Sequence, residues 1–334
     1  MTSPLSVLVV IVNYRTPALV IECLRSLESE VLGQPGVSVA VVDNDSRDGS
    51  SDLIGAAIKS EDWSGWVNLL RSPVNGGFSY GNNFAIKAAM AAETSPDCYW
   101  LLNPDTVVLP GALSALTGFL RLSPEVGICG GGINEHDDKP WPFAFRFPSV
   151  MSELERGLSF GPVSRLLSPW MVRRQMSDDP ERVDWVCGAS MMIRREVFNR
   201  IGLMDESYFL YFEETDFCLK AQRADFQCWY VPQSRVIHIA GQSTGVTAKT
   251  AVPRRLPGYW FDSRRRYFVK NHGRPYAVLA DMVWMLAYTI GCLRRWLQRK
   301  PHNNPPHYMT DFFMHSSIRR SGIEGGVVST KSAN

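Results

Sequence analysis

The clearest strand–helix–strand pattern of the chain lies in residues 5–46, LSVLVVIVNYRTPALVIECLRSLESEVLGQPGVSVAVVDNDS. It opens with a nearly continuous apolar run at 5–12 that is rich in β-branched residues, as expected of a strand that is covered on both faces. A helical pattern follows from Pro17, a residue favoured in the first turn of a helix. A second apolar run at 37–42 ends in the polar residues 43–46. Two buried strands joined by a helix predict a parallel pair.

The alternation continues along the chain to about residue 129. It predicts strands at 67–70, 99–102 and 126–129 and helices at 49–59, at 79–92 and after Pro110. The fold class is therefore predicted as α/β, with a doubly wound, mostly parallel sheet and helices on both faces. In such sheets ligands bind beyond the carboxyl ends of the strands. Residues 135–181 are rich in Pro and aromatic residues and are predicted to be irregular.

Composition narrows the class of protein. With 334 residues and a formal net charge of +2, the chain has no overall positive field that would indicate a nucleic-acid partner, and none is expected. Its seven scattered cysteines lack a CxxC spacing, which is typical of reduced thiols in a cytosolic protein. The first apolar run is too short to span a bilayer and lacks a basic region before it, so a cytoplasmic location is expected.

Polar residues follow the first two predicted strands, and they are candidates for binding a nucleotide. Asn13 and Tyr14 come after the first strand, and Asp43 and Asn44 after the second. A carboxylate at that place can accept hydrogen bonds from a base N–H or a ribose hydroxyl. The alternative is a turn and helix-cap cluster, because Asp, Asn and Ser favour turns.

A glycine-rich loop opens the helix that is predicted at 79–92. Residues 75–83 read NGGFSYGNN, with Asn75, Gly76, Gly77 and Asn82 as candidate ligands. Backbone N–H groups at a helix N-terminus favour a diphosphate, although Asn-Gly-Gly is equally typical of a plain turn. The loop is neither a Walker motif nor a GxGxxG after the first strand, so a nucleotide hydrolase or a dehydrogenase is not favoured.

Two further residues are candidate metal ligands. Asn103 and Asp105 flank Pro104 after the fourth strand, and a carboxylate there suits a hard divalent cation that bridges two phosphates. A helix-capping role for Asp105 is the alternative. His238 ends an apolar strand; a lone His is usually structural, and it becomes a metal partner of Asp105 only if the fold brings the two together.

An acidic cluster of Glu213, Glu214 and Asp216 follows the aromatic run at 208–212. Acidic residues in a first helical turn are favoured by the helix dipole, which is the simplest explanation. Carboxylates beside apolar rings should also have a raised pKa, as a general base requires. Since positions i and i+2 of a helix cannot face the same spot, we expect either Glu214 or Asp216 to do chemistry and the other to orient something.

Six motifs in this order carry a resemblance to a known family: VDNDSRDGS, NGGFSYGNN, LNPD, GASMMIRREVF, YFEETDFC and HIAGQS. Over about residues 5–273 the chain resembles the inverting family-2 glycosyltransferases. Within them it is most similar to bacterial rhamnosyltransferases of cell-surface polysaccharide assembly. The resemblance implies a GT-A domain at 1–273, with a nucleotide-sugar half at about 1–132 and an acceptor half at about 133–273.

The resemblance also implies roles and partners. Asp43 would contact the nucleotide base with Asn13 and Tyr14 nearby, Asp105 and His238 would bind Mg²⁺ or Mn²⁺, and Glu214 would be the catalytic base. The donor would be a nucleotide-diphosphate sugar, with dTDP-rhamnose favoured. The acceptor would be a saccharide or a lipid-linked saccharide. The alternatives are an inactive nucleotide-sugar-binding protein and a nucleotidyltransferase.

The chain departs from the family pattern at two positions. The familiar Asp-x-Asp metal motif is here Asn103-Pro104-Asp105, so the site has one carboxylate fewer. The base, commonly aspartate, is here the longer Glu214.

The C-terminal extension at 274–320 is apolar and basic. Its segment 276–293 is apolar except for Asp281 and is flanked by the basic residues Arg264, Arg265, Arg266, Lys270, Arg294, Arg295, Arg299 and Lys300. One interpretation is an amphipathic helix packed on the catalytic domain. The other, which we favour, is a peripheral helix on the anionic inner face of the cytoplasmic membrane. Residues 321–334 are predicted to be a disordered tail.

Overall fold

The computed structural model describes residues 4–134, 140–141, 144–238, 254–300 and 304–322. The chain forms two compact units, each discontinuous in sequence. The first unit comprises Met1–Phe145, Gln175–Glu206 and Phe217–Ala248, and the second comprises Arg146–Arg174, Ser207–Asp216 and Lys249–Asn334. Apart from its first two residues, the tail predicted at 321–334 lies outside the described residues, as does the GQS end of the last motif.

The described strands and helices have the following bounds. The strands are β1 (Val7–Asn13), β2 (Val37–Asp43), β3 (Val67–Arg71), β4 (Cys98–Leu102), β5 (Thr106–Val108), β6 (Val126–Asn134), β7 (Pro140–Trp141), β8 (Ala144–Phe145), β9 (Arg173–Arg174), β10 (Glu181–Val183), β11 (Trp185–Val186), β12 (Ser190–Arg194) and β13 (Gln227–His238). The helices are α1 (Pro17–Leu32), α2 (Ser50–Ser60), α3 (Gly77–Met90), α4 (Ala112–Leu122), α5 (Val150–Leu158), α6 (Gly161–Leu166), α7 (Arg195–Ile201), α8 (Glu213–Arg223), α9 (Gly258–His272), α10 (Arg274–Leu297) and α11 (Tyr308–His315).

A 10-stranded mixed sheet forms the centre of the first unit. Its strand order is β10-β13-β6-β12-β4-β1-β2-β3, with β5 paired to β13 and β7 to β6. Strands β4, β1, β2 and β3 are parallel neighbours, as are β6 and β13. Strand β12 runs antiparallel between β4 and β6. The predicted α/β fold with parallel central strands is thus confirmed, but the sheet is mixed, because β12, β10, β5 and β7 all pair antiparallel with their neighbours.

The apolar pattern explains why these elements form. Every residue of β4 is buried, and six of the seven residues of β1 are, as the continuous apolar runs predicted. Helix α1 buries Val20, Cys23, Leu24 and Leu27 against this core, at the three- and four-residue spacing of one helical face. Close packing also needs glycine: a Cβ on Gly81 of α3 would lie 2.6 Å from Val12.

One prediction about the middle of the chain is wrong. Residues 135–181 contain two helices, α5 and α6, rather than irregular structure alone. Helix α5 begins with a capping box in which Ser149 and Ser152 exchange side-chain and backbone hydrogen bonds. The position three residues after the cap is more often Glu or Gln, so this start signal is weak in the sequence.

The second unit is organised around the packing of α5 against α10. A Cβ on Gly157 would lie 2.7 Å from that of Ala287, and one on Gly291 would lie 2.8 Å from the Gly157 carbonyl oxygen. The two helices therefore approach closely through glycine. Phe261, Trp284 and other rings of α9, α10 and α11 complete this core.

A buried ionic cluster links the same helices. Arg264 of α9 donates to Asp281 Oδ1 at 2.5 Å and to Glu153 Oε2 at 2.8 Å, and all three side chains are at most 6% exposed. Burial alone would raise the pKa of Glu153, but the charges of Arg156 and Arg264 outweigh it and hold the pKa below its usual range. The cluster corrects one expectation, because Arg264 and the equally buried Arg265 are not available to lipid headgroups.

Helix α10 contains the apolar segment that was predicted at 276–293. Among the described residues it is the one helix long and apolar enough to cross a membrane, a test that core helices of soluble proteins also pass. The predicted boundary at residue 273 falls between α9 and α10, and both helices belong to the second unit.

Candidate active site

The carboxyl ends of three central strands meet at one edge of the sheet in the first unit. Asn13 is in register with Asp43, and Ile11 with Leu102, which immediately precedes Asn103. The polar residues predicted to follow β1, β2 and β4 therefore leave the sheet on the same side. This is the edge at which ligands bind in open α/β sheets.

Asn13 and Asp43 are joined in a buried hydrogen-bond network. Asn13 Nδ2 donates to Asp43 Oδ1 at 2.7 Å, and Ser46 Oγ donates to the same oxygen at 2.6 Å. Asp43 Oδ2 accepts only a long contact, 3.4 Å, from the Ser46 amide among the hydrogen bonds of the described residues. The turn interpretation is thus correct for Oδ1, while Oδ2 keeps capacity to accept from a ligand.

The loops that carry these residues are conformationally restrained. Arg15, Asp45 and Arg47 all have φ between 54° and 58°, an uncommon conformation for residues with a Cβ. Tyr14 is partly exposed, with the Arg15 guanidinium 5.1 Å from its ring centre. Residues in such conformations cluster at ligand-binding sites, where the surrounding structure enforces them.

The glycine-rich loop contacts the end of β2. Asn44 Nδ2 donates to Asn75 Oδ1 and to the Gly77 carbonyl oxygen, both at 3.0 Å. Gly77 has a φ of 84°, where a side chain would be strained, and it opens helix α3 after Gly76. Asn44 Oδ1 and Ser79 Oγ are buried and have no hydrogen-bond partner within the described residues. Buried polar atoms of this kind indicate a missing ligand or water.

Asn82 is placed differently from the other residues of that loop. It is buried in α3, and its Nδ2 donates to the Phe78 carbonyl oxygen one turn earlier at 2.9 Å. Its neighbour Asn83, which the sequence did not single out, exchanges hydrogen bonds with the Met204 backbone and donates to Glu206. Asn83 therefore fixes α3 within the first unit.

Asp105 and His238 lie together, although they are 133 residues apart. Strand β13 pairs antiparallel with β5, which places His238 opposite Thr106 and next to Asp105. His238 Nε2 is 3.1 Å from Asp105 Oδ1 and 3.3 Å from Asn103 Nδ2. Both Asp105 and His238 are largely buried. The fold thus meets the condition on which a shared metal role for this pair depends.

The donor set of this pair fits a divalent cation that also binds phosphate. The described residues contain no group of three or more His, Cys, Asp or Glu side chains that could hold a metal. Mg²⁺ is commonly held by only one or two carboxylates together with substrate phosphates, and neutral His Nε2 is a frequent metal ligand. Asp105 and His238 would therefore supply two ligands, and a diphosphate the others.

The acidic cluster lies in the second unit, at the start of α8, and follows a strained turn. Tyr211 and Phe212 have φ values of 71° and 69°, which are genuine outliers for bulky residues. Phe212 packs against Trp260, and the Tyr211 ring stacks on Tyr259. Such strain costs of order 1–3 kcal/mol per residue and persists only where neighbouring contacts enforce it.

Asp216 is held by three donors. It accepts from Lys270 Nζ at 2.6 Å, from Asn271 Nδ2 at 2.7 Å and from the Tyr208 hydroxyl at 3.2 Å. The sequence analysis missed Lys270 and Asn271 as parts of this site and noted Lys270 only as one of the basic residues before the apolar segment. No local pattern could have found them, because they are 54 and 55 residues from Asp216.

The two glutamates differ in exposure. Glu213 is buried, and its Oε2 has no hydrogen-bond partner in the part of the chain that is described. Burial, and then the negative charge of Glu214, raises the pKa of Glu213 well above its usual range. Glu214 is half-buried as a residue, although its Oε2 atom is shielded from solvent, and it is the least buried of the three acidic residues.

A doubly wound sheet with carboxylates and a glycine-rich loop at its strand ends is typical of nucleotide-binding α/β enzymes. The chain belongs to the family described as glycosyltransferase-like family 2, whose model matches residues 4–252. This confirms the resemblance found in the sequence and makes the chain a glycosyltransferase family member.

Relatives of known function are similar over about two thirds of the chain. The N-acetylglucosaminyl-diphospho-decaprenol L-rhamnosyltransferase of Mycobacterium tuberculosis is 29% identical over 220 residues, 63% of this chain and 68% of that protein. The low-salt glycan biosynthesis hexosyltransferase Agl10 of Haloferax volcanii is 28% identical over 235 residues, 67% of this chain and 64% of that protein.

Solved structures confirm the GT-A fold. The mannosyltransferase PcManGT of Pyrobaculum calidifontis, solved with GDP-Man and Mn²⁺, aligns with a TM-score of 0.54 at 14% identity, over 95% of this chain and 86% of that one. GalNAc-T7, solved with UDP, GalNAc and Mn²⁺, gives a TM-score of 0.57 at 15% identity, over 94% of this chain and 55% of that one.

Proposed function

We propose that the chain is a divalent-cation-dependent, inverting glycosyltransferase that takes a nucleotide-diphosphate sugar as donor. The observation that carries this proposal is the 3.1 Å contact between Asp105 Oδ1 and His238 Nε2 at the strand ends. Two potential metal ligands this close, at the same sheet edge as the glycine-rich helix start, suit a diphosphate that shares a cation with the protein.

The residues of the first unit would bind and orient the donor. Asp43 Oδ2 would accept from the base or the ribose, while Asn13 and Ser46 hold the carboxylate through Oδ1. Asn44 Oδ1, buried and without a described partner, is a second acceptor. A cation bound by Asp105 and His238 would supply Lewis-acid stabilisation of the charge on the departing diphosphate.

The acidic cluster would supply the base. Glu214 would take the proton from the acceptor hydroxyl as its oxygen attacks the anomeric carbon, which inverts the configuration. Asp216 is unsuited to that role because Lys270, Asn271 and Tyr208 already donate to it. Glu213 is unsuited because it is buried, so an acceptor hydroxyl would have little access to its carboxylate.

For the substrates we propose rhamnose, from dTDP-rhamnose, and a lipid-linked saccharide acceptor. The support is the M. tuberculosis relative, which is an N-acetylglucosaminyl-diphospho-decaprenol L-rhamnosyltransferase. The relative Agl10 is a hexosyltransferase of glycan biosynthesis, a wider class that does not specify the sugar.

A thermal-shift panel of the common nucleotide sugars, each with Mg²⁺ or Mn²⁺, identifies the donor. At 100 times its dissociation constant a ligand stabilises the folded state by about 2.7 kcal/mol. We expect dTDP-rhamnose to give the largest shift. A larger shift with another nucleotide sugar would reassign the donor, and no shift with any of them would contradict the proposal.

Transfer and its stereochemistry are then measured with a saccharide acceptor. NMR of the product should show an anomeric configuration opposite to that of the donor. Donor binding without transfer to any saccharide acceptor that is tried would favour the inactive sugar-binding alternative. Release of a sugar 1-phosphate from the donor, instead of a nucleoside diphosphate, would favour a nucleotidyltransferase, because that reaction transfers the nucleotidyl group.

A further inference from the structure

An exposed apolar stripe runs along α10 in the second unit. It consists of Leu279, Met282, Leu286, Ile290 and Leu293, which are 48–65% exposed. Their spacing of three, four, four and three residues puts them on one face of the helix, over about 21 Å. Large contiguous apolar surfaces of this kind mark interaction sites on soluble proteins.

The opposite face of α10 is committed to the core of the second unit. Ala280, Trp284 and Ala287 are buried there, and so is Asp281, the one acidic residue of the segment. Asp281 accepts from Arg264 and from the Ser317 amide at 2.7 Å. The negative charge of Asp281 is therefore neutralised on the buried face of α10 and does not lie on the stripe. Spanning a bilayer would require breaking this buried ion pair, whereas lying on a surface would not.

The charge around the stripe is positive. No Asp or Glu occurs between Asp281 and Asp311, while Arg294, Arg295, Arg299 and Lys300 all fall in that interval. Trp296 is 73% exposed, and Arg299 and Lys300 are exposed just beyond the end of the helix. Amphipathic rings and basic side chains at one end of an apolar face are typical of helices that bind anionic lipid.

A second copy of the chain suits this surface less well. Paired in parallel, two α10 helices would bring their basic ends together. Paired antiparallel, the basic end of one would meet the exposed Arg274 at the start of the other. Either arrangement juxtaposes like charges and offers no acidic partner from the stripe face.

We propose that α10 is a membrane-docking helix that lies in the plane of an anionic bilayer surface. Its stripe would enter the boundary between headgroups and acyl chains, and Arg299 and Lys300 would contact anionic headgroups. This surface is independent of the donor and metal residues, so it can be tested apart from the glycosyltransferase proposal.

Flotation of the full chain with vesicles tests this directly. We expect binding to vesicles that mix phosphatidylglycerol with phosphatidylcholine, and much weaker binding to phosphatidylcholine alone. Leu286→Glu combined with Ile290→Glu should lower partitioning to the vesicles at least about tenfold. Two apolar contacts with the bilayer are lost, and the charged carboxylates that replace them are unfavourable in the apolar layer. Leu122→Glu is the matched control: Leu122 is 81% exposed at the end of α4, and its variant should bind as the wild type does.

A second pair of variants tests the electrostatic part. Arg299→Gln with Lys300→Gln should weaken binding about fivefold per charge removed, and raised salt should weaken the wild type similarly. Circular dichroism melting checks that all variants fold as the wild type does.

Several outcomes would overturn the proposal. One is equal vesicle binding by the wild type and the stripe variant. A second is absence of vesicle binding by the wild type. If light scattering then shows a dimer for the wild type and a monomer for the stripe variant, the stripe is the contact with a second copy. A third is wild-type protein that stays on the vesicles in both high salt and alkaline carbonate, since that result indicates a spanning helix.

Discussion

Replacing Glu214 and Asp216 in turn should separate catalysis from support within the acidic cluster. Glu214→Gln removes the proposed base with almost no change in shape, so turnover should fall by roughly 10²–10⁴ while donor binding is retained. Because the replacement is isosteric but the Oε2 atom of Glu214 is buried, the free energy of unfolding should change by no more than about 1 kcal/mol.

Asp216→Asn should have the opposite profile. The amide keeps one acceptor oxygen but places an NH₂ group where Lys270 Nζ donates at 2.6 Å. A hydrogen bond to a charged group contributes about 1.5–3 kcal/mol, and we take the low end, about 1.5 kcal/mol, because the Lys270 side chain is 31% exposed. Turnover should fall less than in Glu214→Gln.

Urea unfolding and single-turnover transfer measure the two effects separately. Lys270→Met provides a check, since it removes the same contact from the other side and should destabilise without abolishing transfer. Wild-type turnover in Glu214→Gln together with an inactive but fully stable Asp216→Asn would refute the assignment and make Asp216 the base.

Two other predictions concern stability. Because burial raises the pKa of Glu213, this side chain ionises at lower pH in the unfolded state than in the folded state. Its contribution to stability should therefore fall as the pH rises above about 4.5, so Glu213→Gln should gain stability relative to the wild type between pH 5 and pH 7.5 in urea unfolding. A pH dependence of stability unchanged by the substitution would contradict the burial argument. Gly157→Ala should destabilise the protein by about 1–3 kcal/mol, because its Cβ would lie 2.7 Å from that of Ala287. The control Gly118→Ala in α4 has open space around it and should stabilise the protein by about 0.5–1 kcal/mol. Equal thermal midpoints for the two variants would rule out the close approach of α5 and α10.

The parallel part of the sheet could be predicted because its strands are short, mostly apolar runs that alternate with helical patterns. The same local pattern located Asp43, Asp105 and His238 at strand ends. It could not show that Asp105 and His238 touch, since the β5–β13 pairing that joins them depends on contacts 133 residues apart.

Long-range compensation explains the errors. The cluster around Arg264 looked like a headgroup-binding surface, yet Glu153 and Asp281, 111 and 17 residues away, make its burial possible. Lys270 was missed as a partner of the acidic cluster for the same reason, because Asp216 lies on another helix. Local sequence carries helix periodicity and charge, but not which distant group neutralises a buried charge.

Calorimetric titration of the donor with and without a divalent cation tests the central claim most directly. In the wild type, replacing EDTA by Mn²⁺ should raise donor affinity at least about tenfold, and His238→Ala should lose most of that gain. His307→Ala, at an exposed histidine in the second unit, should behave as the wild type does. Equal wild-type affinity in EDTA and in Mn²⁺ would contradict the account.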